Sequence, residues 1–249
     1  MRRITAPLIM LSLAVTAPVA ASPIVVPAAL SGVEGNSNTA SVPFNITFVG
    51  LPSQRYQQVY SSTEFTSAIL ITELLFRPDF NSGNAFSSTL PSIQIDLSTT
   101  VFGPDALSST FATNVGADNA TVFSGSLALS SSNTGGSPRD FDISIVFTTP
   151  FHYDPSLGHL LLDVRNFGGG TTTIFDAHTV AGDSISRVFT NASTPAGVAS
   201  ATGVVSSGGL VTQFVTTEAV PVPEPATMIL VGTGLLSVLG RARRRHRGL

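Results

Sequence analysis

Between Ser22 and Pro221 the apolar positions of this chain recur at every second residue. No long apolar stripe with helical spacing interrupts them. VPFNITFV places Val42, Phe44, Ile46 and Phe48 on one face; FDISIVF places Phe141, Ile143, Ile145 and Phe147 on one face, against Asp142 and Ser144. IQIDL sets Ile93, Ile95 and Leu97 against Gln94 and Asp96, and LLLDVRNF sets Leu160, Leu162, Val164 and Asn166 against Leu161, Asp163 and Arg165. A period of two, rich in β-branched and aromatic residues, predicts strands. The same signal predicts strands over 68–76, 121–129 and 185–189, and a closing pair over 198–205 and 210–217. One-face alternation predicts antiparallel sheets with one side buried and one side wet.

Turn residues punctuate these runs. SSSNTGGSPRD (130–140) reads as a hairpin loop and NFGGGTTT (166–173) as a turn. About nine or ten short strands with such turns predict an all-β fold, an antiparallel β-sandwich or jelly roll. The expected organisation is a signal peptide over 1–21, a loose leader over 22–41 and the β-sandwich domain over 42–217. A Pro-rich spacer over 218–225, a transmembrane segment over 226–240 and an Arg-rich cytoplasmic tail over 241–249 follow.

The two ends read as targeting segments. Arg2 and Arg3 precede an apolar run and small residues, the three-part pattern of a secretory signal peptide cleaved after Ala21. The competing reading, an N-terminal anchor, meets an apolar run about half the roughly 20 residues a span requires. With the ends set aside, the charge picture changes. The whole chain carries a formal −3, but all 15 acidic residues lie between Ser22 and Glu224, against only Arg55, Arg77, Arg139, Arg165 and Arg187 in that stretch, a balance of −10. A lysine-free acidic surface repels phosphate backbones, so nucleic acid is excluded as a partner. Cysteine is absent, which removes disulfides, thiol catalysis and thiolate metal sites.

Each candidate for chemistry has a plainer structural reading. GDSI (182–185) resembles the Gly-Asp-Ser-Leu hydrolases, but those place the base histidine after the serine, and here only His246 follows; a turn entering a strand is expected. His152, His159 and His178, with Asp154, Asp163 or Asp176, are candidate zinc ligands, and Pro155 and Gly158 argue for solvated loop histidines instead. DFNSGN (79–84) opens like a calcium loop at Asp79, Asn81 and Gly83, yet the next carboxylate is Asp96, so an Asx turn is expected. Sugar platforms use Trp and Tyr faces, and the chain has no Trp and three tyrosines, Tyr56, Tyr60 and Tyr153. Asp140 and Asp142 alternate along one strand face rather than flanking a cleft. Asn45, Asn119 and Asn191 head N-x-S/T triplets of a kind that chance supplies in a Ser/Thr-rich chain. No catalytic residue, metal ligand or cofactor site is expected, and the protein is read as not an enzyme.

The C-terminus is more specific. VPEPATMILVGTGLLSVLGRARRR joins Val222, Pro223, Glu224 and Pro225 to a 15-residue apolar run and then to Arg241, Arg243, Arg244, Arg245 and Arg247. The apolar run nearly spans a bilayer, and the arginines behind it stay cytoplasmic. This three-part tail resembles the PEP-CTERM sorting signal of Gram-negative bacteria that make extracellular polysaccharide. The resemblance implies exosortase as a partner, Pro223–Glu224–Pro225 as the recognised motif, a transient membrane anchor, and delivery to the cell surface or matrix, often with biofilm. The same tail occurs on proteins described as ice-binding, a label that speaks for the tail alone. RYQQVY, FRPDF and FHYDPSLGHLLLDVRNF resemble recurring ectodomains of proteins with this tail, a resemblance that brings no activity. The expectation is an exported surface or exopolysaccharide-matrix protein with a structural or adhesive role. The alternatives are a carbohydrate-binding module and, behind it, a secreted hydrolase.

Overall fold

A computed structural model describes residues 23–194 and 196–218. The described part of the chain is mostly β-strand, and its strand pairs are antiparallel. Its strands are β1 (Ile24–Val26), β2 (Ser37–Ala40), β3 (Gln54–Tyr60), β4 (Ile69–Phe76), β5 (Phe86–Thr100), β6 (Ala120–Ser131) and β7 (Ile143–Tyr153), then β8 (His159–Gly168), β9 (Phe175–Thr179), β10 (Ile185–Phe189), β11 (Val204–Ser206), β12 (Gly208–Leu210) and β13 (Thr212–Glu218). One short helix, α1 (Phe111–Asn114), lies in the β5–β6 connection. The strands form a four-stranded sheet of order β1-β13-β4-β7, a six-stranded sheet of order β11-β10-β3-β8-β5-β6, and a three-stranded sheet of order β12-β9-β2.

The two larger sheets share one core. Ile71, Leu74, Ile143, Ile145 and Phe214 from the first meet Tyr56, Tyr60, Ile95, Leu162 and Val164 from the second, each 1% exposed or less. Tyr60 and Phe214 bridge the sheets edge to face, with ring centroids 5.0 Å apart. Within the larger sheet the apolar faces align by register, Ile95 opposite Val164 and Leu97 opposite Leu162. Each such side chain contributes about 1.5–3 kcal/mol when fully buried. The β5–β6 pairing slips between Leu90 and Ile93, where Pro91 has no N–H to give to a ladder.

Three expectations change. The larger sheet is wet on its second face only in part: on β3, β8 and β10, Val59, Leu161 and Val188 pack there against Leu107 and Phe111 of the β5–β6 connection as a second core, while β6 keeps the expected alternation, with Ser124, Ser126, Ala128 and Ser130 exposed. Buried beside them are polar residues. Arg55 sits directly opposite Arg165, and Asp96 opposite Asp163, like-charged pairs that would destabilise the ladder if left to face each other. The ion pairs run diagonally instead: Arg55 to Asp163 at 2.5 Å and Arg165 to Asp96 at 3.1 Å. Gln57 adds a 2.9 Å bond to Asp163 and Thr121 a 2.7 Å bond to Asp96.

Second, the loose leader expected over 22–41 contains two strands. β1 pairs with β13 and β2 with β9, because Val26 and Ala40 are apolar enough to join the core. Third, 42–48 is not a strand. Pro43 removes a ladder donor, and the chain turns: Asn45 N–H donates to Ser41 O at 2.7 Å and Leu51 N–H to Ile46 O at 3.0 Å. Val42, Phe44 and Ile46 are buried as expected, but Phe48 stands 69% exposed. The predicted closing strand over 198–205 likewise reduces to β11, behind a 3-10 turn at Gly197–Ala199.

Candidate functional site

Three distant stretches, 34–48, 79–84 and 171–176, meet at the three-stranded sheet and, with Arg77, form a cluster of polar side chains. Arg77 is its centre. It follows the last residue of β4, is 1% exposed, and donates from Nε to Asp176 Oδ2 at 2.6 Å and from Nη2 to Leu30 O at 2.9 Å and Val33 O at 2.7 Å. Its guanidinium lies 4.6 Å from the centroid of the Phe141 ring. Asp176 also accepts the Gly35 N–H at 2.8 Å, and Gly35 is required there because a Cβ would lie 2.1 Å from Ala177 O.

Asp79 and Glu34 complete the group. Asp79 accepts from Asn81 N–H at 3.0 Å and Ser82 N–H at 2.6 Å, the Asx turn that its sequence predicts. Glu34 Oε1 accepts the Phe80 N–H at 2.8 Å, while its Oε2 is buried with no partner among the described residues. One oxygen from each of Glu34, Asp79 and Asp176 lies within 4.8 Å of the others, the only such group of three His, Asp or Glu side chains among the described residues. Burial raises the Asp176 carboxyl above its ordinary range, and Arg77 and the Gly35 N–H offset this only in part. Burial also raises Glu34, with Asp176 and Asp79 adding to the rise and the Phe80 N–H and Arg77 opposing it.

A carboxyl raised by folding stabilises the native state when protonated. For Glu34 that contribution is complete below its ordinary value of 4.5 and is lost as pH rises through the folded value. Glu34→Gln is therefore expected to raise the melting temperature at pH 7, with a gain that fades on acidification. Thermal melts from pH 3.5 to 8 check this; a gain as large at pH 3.5 as at pH 7 would refute a penalty on the charged, buried carboxylate.

Beside the carboxylates lies a pocket of about 410 Å³ lined by Asn38, Asn45, Phe48, Asn84, Thr172 and Thr173, among others. Asn45 is 4% exposed; its Nδ2 donates to Thr173 O at 3.2 Å, which fixes the amide orientation and leaves Oδ1 without a partner. Thr172 Oγ1 is also buried and unpartnered.

The other sequence candidates resolve into structure. Ser184 lies in the turn entering β10, and Asp183 of GDSI bonds His178 Nδ1 at 2.7 Å. His159 Nδ1 accepts the Ser62 N–H at 3.0 Å, and burial lowers its pKa; His152, on β7, is exposed. Asp140 and Asp142 precede β7 rather than sharing its face, and Asp142 accepts the Ser132 N–H at 2.8 Å. Tyr56, Tyr60 and Tyr153 are each 0% exposed, so none offers a face to a sugar. Sequence reasoning reached Asp79 but not Glu34, Arg77 or Asp176 as its neighbours; the one signal was a lone arginine between Phe76 and Pro78.

The signal peptide with Ala21, the sorting residues Val222, Pro223, Glu224 and Pro225, the segment 226–240, and Arg241, Arg243, Arg244, Arg245 and Arg247 lie outside the described residues. Among the described residues no helix is long and apolar enough to cross a membrane. No curated protein and no solved structure matches the chain. Residues 221–245 match the PEP-CTERM protein-sorting motif. The chain therefore carries, behind an all-β unit, the sorting motif of an exosortase-processed protein that reaches the cell surface or the extracellular space.

Proposed function

We propose that this protein is a non-enzymatic structural or adhesive component of the cell surface and its exopolysaccharide matrix, including biofilm. The observation that carries the reading is the sorting motif at 221–245. In this reading residues 1–21 direct export, 226–240 hold the precursor in the inner membrane, and exosortase releases the acidic β-domain outward. The domain suits such a place. Ion pairs of Arg55 with Asp163 and of Arg165 with Asp96 tie neighbouring strands of the larger sheet together without a disulfide. The −10 balance from Ser22 to Glu224 favours solubility.

Fractionation of a producing culture tests the reading. The protein is expected in the washed matrix fraction, with no turnover of a glycoside panel. Confinement to the cytoplasm or periplasm would overturn the location. Hydrolysis abolished by a single carboxylate substitution would overturn the non-enzymatic role.

A further inference from the structure

We propose that β6 is a contact surface through which two copies of this chain pair, edge to edge and antiparallel. The pairing does not depend on where the protein is delivered, so it goes beyond the surface role and is tested apart from it.

Each of the three sheets ends in two edge strands. Four of these edges, β1, β2, β11 and β12, are only three or four residues long. A fifth, β7, is broken: its pairing with β4 stops at Val146 and resumes at Phe151, with Pro150 in the gap. Short length, interruption and proline are common protections of an exposed edge, as is charge. β6 is the exception. Its 12 residues, Ala120–Ser131, include no proline and no ionisable side chain. At Val122 the carbonyl accepts Thr148 Oγ1 at 3.0 Å. Beyond it the backbone of 123–131 is tied to β5 and, among the described residues, to no other element. One row of N–H and C=O groups therefore points outward over roughly 30 Å.

The row is open to a partner. Ser124, Gly125, Ser126, Ala128 and Ser130 are exposed, and a Cβ placed on Gly125 would meet nothing within 4 Å. A cleft of about 420 Å³ lies beside it, with Asp142, Ser144 and Val146 of the β7 side in its lining.

Unpaired strand edges are met by another strand, and charge selects which. From Ser22 to Glu224 the chain carries −10, so two copies repel unless they touch where charge is lacking. β6 is such a place, and its small exposed side chains let a second backbone approach. Asp142, the one ionisable group lining the cleft, is already engaged, accepting the Ser132 N–H at 2.8 Å. About a twofold axis an antiparallel edge is its own complement: every outward donor of one copy faces an acceptor of the other. Val146, 63% exposed across the cleft, adds apolar area to the contact. The two six-stranded sheets then run on as one.

The test uses the full chain in a zwitterionic detergent. The chain has no cysteine, so an introduced one reports alone. Ser124→Cys, Ser126→Cys, Ala128→Cys and Ser130→Cys are oxidised singly and as mixtures of two. Mixed pairs are expected to cross-link best when their residue numbers have one fixed sum, the mark of antiparallel pairing. Sedimentation is expected to show a monomer–dimer equilibrium. Ser126→Lys with Ala128→Lys is expected to raise its dissociation constant about tenfold or more, although the change lowers the net negative charge. Val204→Lys with Val205→Lys, on the exposed β11 edge, is expected to leave it unchanged. Added sodium chloride should tighten the pair, because screening weakens repulsion between acidic copies. The proposal is overturned if the wild-type chain stays monomeric up to roughly 0.1 mM or if the β6 lysines leave association intact, which would place it on the tail or another face. It is equally overturned if the β11 lysines abolish association, if cross-linking shows no fixed sum, or if salt loosens the pair.

Discussion

Glu224→Ala is expected to leave precursor that keeps its C-terminal tail in the membrane fraction and to remove the mature protein from the cell surface. Glu224 is the single charge between two prolines, Pro223 and Pro225. Proline fixes its own φ, lacks a backbone donor, and biases the preceding residue away from helix. The carboxylate is the one strongly polar handle of the motif, ahead of an apolar run. Removing one partner of a desolvated charge contact costs about 2–5 kcal/mol, and about 1.4 kcal/mol is a factor of ten. The processed fraction is expected to fall roughly thirtyfold or more. Deletion of 241–247 tests the proposed topology differently: it removes the positive cluster that would retain the tail on the cytoplasmic side, and precursor is expected to accumulate there too. Mass spectrometry of surface and membrane fractions reads both. Equal maturation of wild type and both variants, in a host whose exosortase is required for maturation, would sink the sorting reading.

How much of the fold is legible depends on whether one strand face settles the matter. β10 was expected over 185–189 and is found at Ile185–Phe189. β4, β6 and β7 begin or end within a few residues of the predicted runs, because one side of each is plainly apolar. β3 is harder. Its sequence, QRYQQVY, is mostly polar, yet Gln54, Gln57 and Gln58 are each 0% exposed. The structure shows why this is tolerated: the Gln58 amide accepts the Leu210 N–H at 2.8 Å and donates to Leu210 O at 2.9 Å, taking the place of a strand's own peptide. Such burial requires a partner far along the chain, and no local window contains it. The second core has the same origin, since Leu161 reads as a solvent-side lapse until Phe111 covers it.

The candidate site is less legible still. Its carboxylates come from a turn, a loop and a strand, and periodicity says nothing about which loops meet. Asp79 stood out through DFNSGN, and the Asx turn there is as the sequence implies. The pocket was hidden by an error of element type: with 42–48 taken as a strand, Phe48 belonged to the core, and only the turn after Pro43 brings it to the surface. The sorting tail, by contrast, is legible because its recognition is linear. Three chemical blocks in fixed order carry it, and residues 221–245 match on that order.

Arg77→Met is expected to cost about 3–5 kcal/mol of stability at pH 7, the usual loss when one partner of a buried ion pair is removed. Methionine keeps the bulk of the side-chain stem, so the loss is chiefly electrostatic. The change strands Asp176, itself 1% exposed, beside Asp79 and Glu34, and frees Leu30 O and Val33 O, which hold the start of the chain against β4. It also removes the cation from Phe141. For a domain of this size, about 2–4 °C per kcal/mol gives a fall in melting temperature of roughly 6–20 °C. The pH dependence identifies the cause. Arg77 lowers the Asp176 pKa against burial, so its removal lets that pKa rise further. A carboxyl raised in the folded state stabilises it below the ordinary value of 3.8 and loses that contribution as pH rises through the folded value. The deficit of the variant is thus largest at neutral pH and shrinks towards pH 4. Adding Asp176→Asn to Arg77→Met should restore part of the loss at pH 7, because it removes the uncompensated charge. Urea denaturation of the three proteins at pH 4 and pH 7 decides. A deficit under about 1 kcal/mol, the worth of an exposed pair, or one equal at both pH values with no recovery in the double variant, would show that Arg77 holds this corner by packing alone.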